Sequence, residues 1–294
     1  MQTKSELARA KINLLLDVIT RRPDGYHLID GVMQSVTLAD RVDVSFENAP
    51  ETVVTLSAEG NDAMPTDMTN LACRAAKRYL ERAGISGRVG IRIEKRIPMA
   101  AGLAGGSADA AAVLRALDAL SGHPLGIAVL CDEGAKLGAD VPFCIREGAM
   151  RTEGIGDKLT PCDGLRDCFL VIACAGEGVS TPWAYGQLDL LYHDFQPPRN
   201  SAKKVEKLLH ALQIGDFSAS CACFENIFES VVADRNPFVG EIKRILTGAG
   251  AVRAMMSGSG PSVFGVFREE RTATVACERL AEVGIRGAVC QPVV

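Results

Sequence analysis

The chain has 294 residues, a formal net charge of −4, 47% hydrophobic and 23% charged residues, a length that supports a large buried core and about two domains. Its slightly acidic balance gives no electrostatic case for nucleic acid or an anionic membrane as partner, and no apolar run approaches the ~20 residues a spanning helix needs. Lys4, Glu6, Arg9 and Lys11 put charges where a signal peptide would be apolar, so a cytoplasmic protein is expected.

Ala8, Ala10, Ile12, Leu14 and Leu16 alternate with Arg9, Lys11, Asn13, Leu15 and Asp17, the pattern of a half-buried strand. Period two sets Lys11 and Asn13 on one face, roughly 7 Å apart along the strand. Arg22-Pro23-Asp24-Gly25 is turn-prone and displays Tyr26 and His27 on a loop. Val42/Val44/Phe46, Val53–Leu56 and Val89/Ile91/Ile93 follow as strands. Between the last two, the apolar stripe after Asn70 (Leu71, Ala72, Ala75, Ala76, Tyr79, Leu80, Ala83) predicts a helix closed by Gly84. Lys95 then leads into Pro98-Met99-Ala100-Ala101-Gly102-Leu103-Ala104-Gly105-Gly106-Ser107-Ala108, a loop of small residues opening a helix that Ser107 is expected to cap and Gly122 to end. Residues 126–137 read as another helix, and Gly138-Ala139-Asp140-Val141-Pro142-Phe143 as a turn carrying a carboxylate.

The second half restarts at Gly154-Ile155-Gly156-Asp157, with a strand over Cys168–Cys174. Thr181 to Asn200 holds four prolines or glycines with Trp183 and Tyr185, and reads as an extended loop. Helical stripes recur at Val205/Leu208/Leu209/Leu212, at Phe224/Ile227/Phe228/Val231 and after the Asn236-Pro237 start signal. Strands at 252–257 and 262–267, a helix near 271–283 and a strand near 287–291 complete the chain. Strands mixed with helices and no regular βαβ rhythm predict an α+β protein of two lobes, residues 1–153 and 154–294. The ten cysteines include no Cys-x-x-Cys pair and sit mostly in apolar settings, as reduced buried thiols do.

The loop from Pro98 to Ala108 carries the chemistry. Small residues let backbone N–H groups approach a ligand, and a helix N-terminus adds unpaired donors and positive potential, a construction suited to phosphate. It is neither a P-loop, since Gly106 precedes Ser107 with no lysine, nor a dinucleotide fingerprint, since the order is Gly102-x-x-Gly105-Gly106. By itself it supports an anion site or a tight turn.

Three segments in this order, Ala10-Lys11-Ile12-Asn13-Leu14, Pro98–Ala111 and Met256-Ser257-Gly258-Ser259-Gly260-Pro261-Ser262, resemble the GHMP kinase superfamily of galactokinase, homoserine kinase, mevalonate kinase and phosphomevalonate kinase. Arg22-Pro23-Asp24-Gly25-Tyr26-His27 and Gly138–Phe143 are similar to the branch whose acceptor is 4-diphosphocytidyl-2-C-methyl-D-erythritol. The resemblance implies an N-terminal mixed α/β lobe with the phosphate loop, a C-terminal ferredoxin-like α+β lobe, and an active site in the cleft between them. It also implies ATP-dependent phosphorylation of the tertiary 2-hydroxyl of that acceptor, with release of ADP, on the methylerythritol phosphate route to isoprenoid precursors. Partners would be ATP and the small-molecule acceptor, with Mg²⁺ delivered by the ATP and no protein ligand assigned to it, in a monomer or homodimer.

The resemblance assigns roles residue by residue. Asp140 is the general base, against a plain turn-capping role, and Lys11 offsets phosphoryl charge, against a solvated strand lysine. Asn13 donates to the acceptor. Tyr26 stacks on cytosine and His27 bonds its edge, with loop packing as the alternative. Tyr185 is the second aromatic, with Trp183 competing. Lys95 and residues 98–108 hold ATP, although an exposed strand-end lysine is nearly as good a description of Lys95. Ser257, Gly258, Ser259 and Gly260 form a second small-residue turn, which is also the natural hairpin between its flanking strands. Ala104 and Ala108 stand where relatives carry a glycine and a serine; Ala104 suits a phosphate loop if its φ is negative. Another GHMP kinase, for homoserine or mevalonate, and a non-catalytic nucleotide-binding regulator are the alternatives.

Overall fold

A computed structural model describes residues 2–60, 63–122, 124–195, 199 and 201–294. Two long strands come first, β1 (Gln2–Arg21) and β2 (His27–Asn48). The turn joining them is closed by Arg22 N–H donating to Tyr26 O at 2.7 Å and Gly25 N–H to Arg22 O at 2.9 Å. Gly25 takes φ +88° there, which a side chain would resist. β3 (Val53–Glu59), α1 (Leu71–Ala83), β4 (Gly87–Glu94), α2 (Gly105–Leu120), α3 (Ile127–Ala135), α4 (Val141–Arg146), β5 (Ala149–Gly154) and β6 (Lys158–Pro161) follow. Next come β7 (Phe169–Ala173), α5 (Thr181–Leu191), a 3₁₀ turn (His193–Phe195), α6 (Ala202–Gln213), α7 (Phe217–Ala222), β8 (Glu225–Asn226) and α8 (Glu229–Val232). The chain ends with α9 (Pro237–Gly248), β9 (Arg253–Met256), β10 (Val263–Phe267), α10 (Glu270–Glu282) and β11 (Gly287–Cys290).

The chain folds into two compact units: Met1–Ala10 with Ala39–Met99 and Ala104–Glu147, and Lys11–Leu38 with Ala100–Leu103 and Gly148–Val294. Both are discontinuous in sequence because β1 and β2 each run through the two. In the first unit, β4 pairs antiparallel with β2 (Val42 with Ile93, Phe46 with Val89) and parallel with β3 (Val54 with Val89). Helix α1 packs on α2, and α4 packs on both α2 and α3. As the apolar stripe predicts, α1 buries Ala72, Ala75, Ala76, Tyr79 and Leu80. Asn70 caps it by accepting from Ala72 N–H at 2.9 Å, and Gly84 ends it in the left-handed region.

In the second unit, β5 pairs antiparallel with β2 (Val32 with Arg151) and with β6, and Leu15–Leu16 of β1 run parallel to β8. A separate antiparallel sheet has the order β11-β7-β10-β9. With α9 before β9 and α10 before β11, this is the β-α-β-β-α-β arrangement of a ferredoxin-like fold. Its core joins Val171, Val263 and Phe267 of the sheet to Ile242 and Leu246 of α9, Leu280 of α10, and Ala184 and Leu188 of α5. Each large side chain so buried contributes roughly 1.5–3 kcal/mol.

Four local expectations are corrected. Thr181 onward is a helix rather than an extended loop: Pro182 sits in the first turn, where its missing N–H costs nothing, and Ala184 and Leu188 are fully buried one turn apart. Gln196, Pro197, Pro198 and Asn200 of that stretch lie outside the described residues. Phe224–Val231 is not one helix, because the Asn226 side chain accepts from Phe228 N–H at 3.0 Å and fixes a turn between β8 and α8. β1 is buried on both faces from Ala10 to Val18, not half-buried. Ser107 does not cap α2, which starts two residues earlier at Gly105. None of the ten cysteines forms a disulfide, and burial pushes the Cys162 and Cys221 thiols up to about 11 and those of Cys168 and Cys290 to about 12.

Candidate active site

In the second unit, Lys11 and Asn13 stand on one face of β1, as their spacing requires. Both are buried, at 5% and 2% exposure, and Lys11 Nζ donates to Asn13 Oδ1 at 2.7 Å. A buried ammonium needs such a partner, so Lys11 is not a solvated strand lysine. The Lys11 N–H donates to Leu103 O at 3.1 Å, tying the strand to the glycine loop. Asn13 N–H donates to Ser257 Oγ at 3.3 Å, and that hydroxyl donates onward to Gly102 O at 3.2 Å.

The second small-residue turn is the hairpin between β9 and β10, and it also braces the first loop. A Cβ at Gly102, where φ is +77°, would run into Ser257 O, and one at Gly258 would come within 2.7 Å of Gly102 O. Glycine at both positions is what lets the two backbones touch. Asn226, invisible to sequence reasoning, donates through Nδ2 to Met256 O at 2.8 Å and Gly258 O at 2.9 Å and fixes the turn from behind. Thr181 and Ser259 share a 2.9 Å hydroxyl contact, bringing the start of α5 to the same turn.

The aromatic group belongs to this unit as well. Tyr26 is 61% exposed. His27 stacks on Tyr185 with ring centroids 4.4 Å apart, and Tyr185 sets its edge against Phe228 at 4.9 Å. His27 Nε2 is 2.6 Å from Asp189 Oδ1, and Arg21 lies 3.5 Å from the other oxygen of that carboxylate. Trp183 is elsewhere on α5, with the Arg235 guanidinium 4.5 Å above its ring. Asp189 was detectable only through its i,i+4 spacing from Tyr185, a signal that requires α5 to be recognised as a helix.

In the first unit, α2 begins from Ala104 with φ +57° and ψ +28°, the left-handed region and not the negative φ expected of an alanine. Ala104 O accepts from Ala108 N–H at 2.9 Å, which closes the first helical turn and leaves Ser107 inside it. The Ser107 hydroxyl is 3.8 Å from where a Cβ would stand on Gly138, so the start of α2 and the turn that carries Asp140 are neighbours. Asp140 is half-buried at the N-terminus of α4, and its side chain makes no capping hydrogen bond there. Plain capping therefore does not explain the residue.

Lys95 is not an exposed strand-end lysine. Its Nζ donates to Asp40 at 2.5 Å and Asp109 at 2.8 Å, and it lies 3.5 Å from the position a Cβ would take on Gly105. Burial opposes its charge, but the two carboxylates outweigh burial and hold the ammonium above the ordinary lysine range. Asp109 is pushed up to about 7, by burial first, against the pull of Lys95 and with Asp40 adding to the rise. One cation shared by two buried carboxylates leaves an excess negative charge, which favours a proton on Asp109.

This geometry comes from a known class. The GHMP kinases N terminal domain family matches residues 70–148, and the GHMP kinases C terminal family matches residues 199–286. The chain belongs to the GHMP kinases. A 4-diphosphocytidyl-2-C-methyl-D-erythritol kinase from Alkaliphilus metalliredigens is 42% identical over 274 residues, covering 93% of this chain and 91% of its own. A crystal structure of 4-(cytidine 5'-diphospho)-2C-methyl-D-erythritol kinase matches 99% of this chain and 100% of its own, with TM-score 0.80 and 33% identity. Homoserine kinase from Cytophaga hutchinsonii, at TM-score 0.75 but 19% identity over 100% of this chain and 95% of its own, shares the fold alone. Within the GHMP kinases, the chain is a member of the 4-diphosphocytidyl-2-C-methyl-D-erythritol kinase family.

Proposed function

We propose that this chain transfers the γ-phosphoryl group of ATP to the 2-hydroxyl of 4-diphosphocytidyl-2-C-methyl-D-erythritol, releasing ADP and the 2-phosphate, as a step towards isoprenoid precursors. The carrying observation is the near-full-length identity to kinases of that name, with the paired Lys11 and Asn13 and the braced glycine loop supplying the chemistry. Asp140 takes the proton of the 2-hydroxyl. The freed oxygen attacks the γ-phosphorus, and the bond from that phosphorus to the β,γ-bridging oxygen breaks. Lys11 offsets the charge that builds on the transferring group, and Asn13 orients the acceptor. Backbone N–H groups of residues 98–108 hold the ATP phosphates at the start of α2. Lys95 acts on the nucleotide through the loop it underlies, and Ser257–Gly260 keep that loop in place. Tyr26, His27 and Tyr185 take the cytosine.

Mg²⁺ bound to ATP neutralises phosphate charge. Oxygen donors would suit it, and of the loop's side chains at 107 and 108 the Ser107 hydroxyl would be the one to reach it, since Ala108 presents a buried methyl. Among the described residues no helix is long and apolar enough to cross a membrane, and we take the enzyme to work in the cytoplasm as a monomer or homodimer.

ADP release from ATP tests this with three acceptors offered separately. Turnover is expected with 4-diphosphocytidyl-2-C-methyl-D-erythritol, and Asp140→Asn should cut kcat by about 10²–10⁴-fold while the KM for ATP holds. Turnover of homoserine or mevalonate instead contradicts the acceptor, and near-normal turnover by Asp140→Asn removes that residue as base.

A further inference from the structure

Asp189 has no part in phosphoryl transfer as proposed, yet it holds one of the residues assigned to the base. Its Oδ1 lies 2.6 Å from His27 Nε2, and both side chains are largely buried, at 14% and 8% exposure. Arg21, 3.5 Å away, supports the carboxylate from its other oxygen. The imidazole is also fixed as a plane, stacked on Tyr185 at 4.4 Å and edge-on to Phe195 at 5.9 Å.

An ionised carboxylate only accepts hydrogen bonds, so Nε2 must carry the proton. In a neutral imidazole the other ring nitrogen is then bare and only accepts. His27 Nδ1 makes no hydrogen bond among the described residues. Cytosine presents an amino donor at C4, where uracil presents a carbonyl acceptor. A bare Nδ1 receives the first and is repelled by the second.

We propose that Asp189 is a specificity-determining positioning residue: by fixing the Nε2–H tautomer of His27 it makes that side chain an acceptor for the cytosine amino group and so selects cytidine over uridine substrates. This rests on the proposed cytidine diphosphate-linked acceptor. A half-turn of the imidazole keeps its plane on Tyr185 but carries Nε2 away from Asp189, so the 2.6 Å contact is what sets which ring nitrogen faces which way. Asp189 sits one helical turn after Tyr185 on α5, so a single helix supplies both the ring that supports His27 and the carboxylate that sets its proton.

The test joins a spectroscopic and a kinetic measurement on the full chain. In ¹⁵N NMR of the wild-type protein at pH 7.5, His27 should show a protonated Nε2 and a bare Nδ1; a bare Nε2, or protons on both nitrogens, overturns the proposal. In Asp189→Asn, whose amide can present a donor to Nε2, the effect should fall on KM for the cytidine substrate, rising about tenfold, and not on kcat or the KM for ATP. The preference over the uridine analogue should narrow by a similar factor, and Asp189→Glu should restore part of it. Equal losses on both bases, or no loss, overturn the proposal while leaving the kinase function standing. A wild-type enzyme that ignores the cytidine substrate overturns both.

Discussion

Ala104 holds a left-handed backbone at the N-cap of α2, with φ +57° and no side-chain cap. An L-residue in that region carries roughly 1–2 kcal/mol of strain, and alanine is a poor N-cap in addition. Glycine would relieve both, at the cost of a more flexible unfolded chain. Ala104→Gly should therefore stabilise the protein by about 1 kcal/mol, read as a Tm rise of about 2–4 °C; a lowered Tm would show that the strain is not local to this residue. Asp109 gives a pH dependence. Its carboxyl is raised from the ordinary 3.8 of an aspartate to about 7 in the fold, so between these values the folded state keeps a proton that the unfolded state releases. Its contribution to stability is complete below the lower value and is lost as pH rises through the upper one. The destabilisation caused by Asp109→Asn, measured by urea unfolding, should be larger at pH 5 than at pH 8, and an equal or reversed difference would contradict the buried charge assignment.

Elements were legible where one periodicity dominated. The stripe of α1 and the strong alternation of β2 and β4 needed no tertiary information, and Asn70 and Gly84 marked their helix without ambiguity. α5 was hidden because Pro182 and Gly186 look like breakers, although proline suits a first turn. The Phe224–Val231 stripe looked helical because its apolar residues recur at helical spacing, yet Phe224 packs on Phe264 apart from the core that takes Ile227 and Phe228, and Asn226 turns the chain there through side-chain bonds to Phe228, Met256 and Gly258. No local pattern reveals partners thirty residues away. Asn226→Ala leaves two buried carbonyls without donors and should cost about 2 kcal/mol, with KM for ATP rising as the Ser257–Gly260 turn loosens against Gly102. A stability change within about 0.5 kcal/mol would place Asn226 among neutral positions.

At the scale of the molecule, the segments around Lys11, the Pro98–Ala108 loop and Ser257–Gly260, taken in order, indicated a phosphotransferase through their resemblance to the GHMP kinases, and the relatives bear out that class. The two compact units were not legible, because β1 and β2 pass through both and the glycine loop itself contributes residues to each. Nor was Lys95's environment: two carboxylates from β2 and α2 converge on it from positions 55 residues before and 14 after. Fold by itself does not choose the acceptor, since homoserine and mevalonate kinases share it. The choice is most directly tested by incubating the protein with ATP and an equimolar mixture of 4-diphosphocytidyl-2-C-methyl-D-erythritol, homoserine and mevalonate, and following the products by ³¹P NMR. One new phosphomonoester, on the tertiary C2 oxygen of the cytidine substrate and equal in amount to the ADP formed, is the expected result; a phosphate on either other acceptor, or ADP without any phosphoester, would contradict it.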